Sequence, residues 1–86
     1  MKHLIISYKT RTSLLAFSKI LKSNQIFAET INTPRSIAIS CGLSLKVDIK
    51  HFSIVKNLIR QANISGFIGL FISNSSNQYS EYQKIM

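Results

Sequence analysis

The sequence predicts an α+β fold in which the elements follow as strand, helix, strand, strand, helix, strand. Three observations carry that reading. Residues 43–48 alternate apolar with polar, two longer stretches repeat apolar residues at helical spacing, and short aliphatic runs are bounded by turn-forming residues.

Lys2 to Tyr8 reads as the first strand, because Leu4, Ile5 and Ile6 are aliphatic and the polar Lys9-Thr10-Arg11-Thr12 ends the run. Thr10 or Thr12 is placed to cap the following helix, its hydroxyl accepting from a first-turn amide. Leu14, Phe17, Ile20 and Leu21 form the apolar stripe of that helix, with Lys19 and Lys22 on the other side, and Ser23-Asn24-Gln25 closes it. Ile26 to Ile31 is a second strand, and Glu29 within it suits a sheet edge. Asn32-Thr33-Pro34-Arg35 then interrupts regular structure, since proline fixes its own φ and drives Thr33 out of the helical region. Ser36 to Ser40 fits a helical turn or an irregular loop. Leu43, Leu45 and Val47 alternate with Ser44, Lys46 and Asp48 as the third strand, and Asp48 caps a second helix whose stripe is Phe52, Val55, Leu58, Ile59 and Ala62. Asn63 to Gly66 turns the chain, and Phe67 to Ile72 is the fourth strand.

This order is that of a ferredoxin-like βαββαβ sandwich: a four-stranded antiparallel sheet, strands one and three central, with two helices on one face. Residues 1–73 make that domain, and the polar stretch 74–86 reads as a disordered C-terminal tail. The fold would gather Lys9, Arg11, Arg35, Cys41 and the N-terminus of the first helix at one end of the sheet.

Composition limits the function. Eleven basic against three acidic residues give a net charge of +8, which suits either a solvated surface or attraction to an acidic partner, nucleic acid or an anionic small molecule, among which charge alone does not choose. No apolar run is long enough to cross a bilayer and no signal peptide is recognisable, so a cytoplasmic protein without membrane contact is expected. The single cysteine excludes an internal disulfide and a cysteine-based zinc cluster. Glu29, Asp48 and Glu81 lie on separate elements and offer no carboxylate pair for acid–base work. His3 and His51 fall at the end of the sheet away from Cys41, so neither a Cys-His pair nor a metal site is expected. With no glycine-rich phosphate loop either, a carrier or binding protein without cofactor fits better than a turnover enzyme.

Cys41 is the candidate reactive group. Cations and a helix N-terminus favour its thiolate, and Arg35, Arg11 and Lys9 supply the charge. The opposing reading is a small buried apolar residue at a strand start. Thr33-Pro34-Arg35, five residues, then Cys41-Gly42-Leu43-Ser44-Leu45 resembles the selenium/sulfur (Se/S) carrier protein-like family over roughly residues 3–73. The resemblance implies a ferredoxin-like domain with Cys41 as the carrier thiol, holding the chalcogen as a persulfide. It also implies that Thr33, Pro34, Arg35 and Gly42 shape the loop, and that sulfur or selenium donor and acceptor proteins are the partners. Ala38 and Ile39 depart from the small polar residues the family has before the cysteine.

The alternative is a basic binding module for nucleic acid or an acidic protein, with Cys41 structural. Neither face of the third strand carries an aromatic, which counts against base stacking on the central strands. Ile5 and one set of fourth-strand side chains are expected on the open sheet face, where they would support a homodimer or a docked partner.

Overall fold

The computed structural model describes residues 2–34, 42–75 and 80–86. Five strands form one antiparallel sheet with two helices. In chain order the elements are β1 (Lys2–Tyr8), α1 (Arg11–Ser23), β2 (Glu29–Asn32), β3 (Leu43–Asp48), a 3-10 turn (Ile49–His51), α2 (Phe52–Ala62), β4 (Phe67–Ser75) and β5 (Ser80–Lys84). The sheet order is β2-β3-β1-β4-β5.

Alternation along β1 decides what the sheet buries. Ile6 pairs with Leu45 and Leu70, and Leu4 with Val47 and Ile72. These rows, with Tyr8, share one core cluster with Leu14, Phe17 and Leu21 of α1 and Val55 and Ile59 of α2. The apolar stripes read from helical spacing are therefore the packed faces. Each such side chain, fully buried, stabilises the fold by about 1.5–3 kcal/mol.

Helix ends follow local chemistry. Thr10 is the α1 N-cap: its Oγ1 accepts from the Ser13 amide at 3.1 Å. At the other end the Gln25 amide donates to the Lys22 carbonyl at 3.0 Å and the Ile26 amide to the Leu21 carbonyl at 2.9 Å. Gln25 has φ 60, completing a Schellman cap in which buried Ile26 packs inward. That cap consumes Ile26, which is why β2 starts at Glu29 and not at the expected Ile26. Asp48 caps the 3-10 turn, accepting from the Lys50 amide at 3.0 Å, and α2 follows from it.

Two expectations are corrected. The sheet has five strands, not four, because Ser80–Lys84, expected in a disordered tail, pairs with β4 from Phe71↔Lys84 to Ser75↔Ser80. The Ile85 amide then donates to the Leu70 carbonyl at 2.7 Å, and Met86 packs on the core cluster. A backbone ladder does not require apolar side chains, so the largely polar segment Ser-Glu-Tyr-Gln-Lys can close an edge that would otherwise expose unpaired groups. β4 also runs on to Ser75, past the expected boundary at residue 73.

The open face is the second correction. Ile5 and Phe71 do lie opposite the helices, but they are only 2% and 8% exposed. The Phe71 ring lies against Gly69, its Cε1 3.0 Å from where a glycine Cβ would stand. Ile5 and Phe71 thus offer little exposed surface to a homodimer; the large exposed apolar residues, among those described, are Leu15, Phe27 and Ile54, all outside the strands.

Removing residues 80–86 should therefore lower the melting temperature, by about 4–8 °C for each kcal/mol of edge pairing and Met86 packing removed. An unchanged thermal melt would show that β5 adds nothing to the sheet.

Candidate functional site

At the end of the sheet where β1 stops, the chain turns at Lys9 and Thr10 into α1. The Lys9 amide donates to the Gly66 carbonyl at 2.6 Å, tying this turn to the one before β4. Gly66 has φ +83, and a Cβ there would meet the Lys9 Cβ at 3.3 Å, so glycine is needed for both backbone and space.

The β2–β3 connection arrives at the same end. Its two ends are clipped together by the Thr33 amide donating to the Gly42 carbonyl at 3.1 Å. Beneath the clip runs a chain of hydroxyls: Thr33 Oγ1 lies 2.6 Å from Ser44 Oγ, which lies 2.7 Å from Ser7 Oγ. Ser7 and Ser44 are fully buried, so each hydroxyl satisfies its neighbour where water cannot. The chain couples the loop base to β3 and β1, the two strands beside it.

Tyr8, Lys9, Thr10, Arg11, Gly42 and Leu43 line a pocket of about 270 Å³ at this end. Two cationic side chains and the start of α1 give it positive character, since first-turn amides point out of a helix and carry partial positive charge. Tyr8 closes its inner side, stacked edge-on against Phe67 at 5.4 Å and tilted against Phe17 at 5.6 Å. Burial pushes the Tyr8 phenol up to about 12, so it stays neutral at physiological pH.

Of the residues singled out from the sequence, Lys9, Arg11 and Gly42 line this pocket, and Thr33 anchors the loop beneath it. Pro34 follows Thr33 and is half-buried. Arg35 and Cys41 lie outside the described residues. Gly42 has no left-handed backbone, and a Cβ on it would meet nothing among the described residues within 4 Å. Its backbone is therefore open to approach from the described side and needs no unusual dihedrals.

Sequence reasoning overlooks Ser7, Ser44 and Tyr8. Alternation puts Ser44 on the polar side of its strand, as observed, but that side is buried here. The available signal is Ser7 itself, a lone hydroxyl inside the aliphatic run of β1.

His3 and His51 come together with Asp48 at the far end of β3, remote from Gly42. Among the described residues no group of three potential ligands could hold a metal ion. No described helix is long and apolar enough to cross a membrane.

An antiparallel sheet with two helices and a cationic pocket beside the loop base defines a small α+β protein. The chain belongs to the family described as "Putative Se/S carrier protein-like", whose model matches residues 3–66. No curated protein and no solved structure matches it.

Replacing Ser44 by alanine should leave Thr33 and Ser7 without their shared partner and cost about 1–3 kcal/mol in a denaturant titration. A cost below a few tenths would mean that the hydroxyl chain does not hold the loop base.

Proposed function

We propose that this protein carries sulfur or selenium on Cys41, as a persulfide or selenopersulfide, and passes it between a donor and an acceptor protein. Family membership supports the reading. The observation that carries it in the structure is that Gly42, joined to Cys41 by one peptide bond, lines the pocket that also holds Lys9 and Arg11. The domain is read as a ferredoxin-like frame widened by one edge strand.

The transfer needs no oxidant. The Cys41 thiolate attacks the terminal sulfur of a donor persulfide, a new S–S bond forms, and the donor leaves as its thiolate. An acceptor thiolate attacks the same terminal sulfur in turn, and Cys41 leaves as thiolate. Both forms of Cys41 are anions, and Arg35, Arg11 and Lys9 stabilise them alike. Thr33, Pro34 and Gly42 shape the loop: Thr33 fixes its base, Pro34 stiffens its exit from β2, and Gly42 leaves room for a partner. The protein acts in the cytoplasm, where reducing conditions keep a lone thiol free. It serves as a carrier and not as a turnover enzyme.

Cation removal sets the direction of the test. Positive charge favours thiolate, so alkylation of Cys41 against pH should have its midpoint below the ordinary thiol value near 8.5. Arg35→Ala and Arg11→Ala should each move that midpoint upward, while the melting temperature stays constant. A thiol that reacts only after denaturation would overturn the reading and leave Cys41 as a packed residue.

A further inference from the structure

The far end of the sheet holds a second pocket, of about 320 Å³, that the carrier chemistry does not use. Its floor comes from strand ends brought together by register: His3 stands opposite Asp48, and Glu29 opposite Lys46. The 3-10 turn after β3 adds Lys50 and His51, and Phe27 forms one wall.

Phe27 is the unusual member. It is 80% exposed, the most exposed of the large apolar side chains described. The cap of α1 explains its direction, because Ile26 is drawn inward to Leu21 and the next side chain projects outward. Among the described residues nothing covers the apolar area of that ring, which stands in water beside two lysines, two imidazoles and the carboxylates of Glu29 and Asp48.

We propose that this pocket binds a nucleotide, its base stacked on the Phe27 ring and its phosphate held by Lys46 and Lys50. An exposed aromatic flanked by cations is the arrangement by which proteins hold single nucleotides and single strands, since every base has a face to stack and every phosphate a charge to neutralise. Glu29, also in the lining, can accept hydrogen bonds from ribose hydroxyls or base amino groups. Asp48 is engaged at the Lys50 amide, and that bond, with Lys50, His51 and His3 around it, holds its carboxyl below the usual range. The volume lies within the range of small-ligand sites. The aromatic that β3 lacks is thus supplied from the connection before β2.

The ligand could be a free nucleotide or one residue of a single-stranded RNA, and both are tested on the full chain. Calorimetry with adenosine monophosphate and polarisation of a labelled single-stranded oligonucleotide are compared for wild type, Phe27→Ala, Lys46→Ala/Lys50→Ala and the control Ile54→Ala. Phe27→Ala should weaken binding about 10-fold, as expected for one stacked base, and leave the melting temperature unchanged. The lysine pair should reduce the salt slope by about 0.7 for each phosphate no longer neutralised, and Ile54→Ala should match wild type. Phe27-dependent binding of the monophosphate assigns a free nucleotide; the same dependence with the oligonucleotide alone assigns a strand. Absence of binding to both overturns the proposal. So does binding that Phe27→Ala leaves within about twofold, which would reflect only the net charge. An acidic peptide that binds through Phe27 where no nucleotide does would also overturn it, and would give the surface to a protein partner.

Discussion

β1 is paired along both edges, to β3 on one side and β4 on the other, and buried on both faces. Leu4, Ile6 and Tyr8 meet the helices, while Ile5 and Ser7 are closed off on the opposite face. A strand so constrained cannot slip by one residue without sending Ser7 into the core and Ile6 out of it. Both pockets depend on that fixed register. Its C-terminal end places Lys9 and Arg11 beside Gly42, and its N-terminal end places His3 beside Asp48.

The first pocket divides its labour between hydroxyls and cations. Thr33, Ser44 and Ser7 are inward, neutral and mutually satisfied, so they hold the loop base without altering its electrostatics. Lys9 and Arg11 are exposed and carry charge, which falls off with salt and distance but needs no desolvation. The proposed carrier would gain from that separation. Its anion must be stabilised enough to form yet released to an acceptor, and solvent-screened cations stabilise it less than a buried pair would.

Much of the frame was legible because helical periodicity and strand alternation are local. Leu14, Phe17 and Leu21, then Val55 and Ile59, are the packed residues their spacing suggests, and Leu45 and Val47 face inward as alternation requires. Where local pattern competes with a tertiary or capping demand, the pattern misleads. Ile26 looks like a strand residue but seats the end of α1, helped by a left-handed Gln25 that composition does not advertise. β5 was illegible because its stability comes from the edge of β4, a partner that polar residues 80–84 do not reveal. For the site, Lys9, Arg11 and Thr33 were reached by topology and resemblance. The hydroxyl chain was not, since it exists only once β1 and β3 are in register. Phe27 escaped notice for the related reason that its exposure follows from the cap preceding it.

The central claim is chemical: the chain's one cysteine accepts a chalcogen from a donor. Intact-mass measurement of the native protein after incubation with a cysteine desulfurase and its substrate tests this directly. The account predicts a species heavier by one sulfur atom, restored to the starting mass by a reducing thiol and absent from Cys41→Ser. A wild-type mass that never changes, or an adduct that persists in Cys41→Ser, would contradict it.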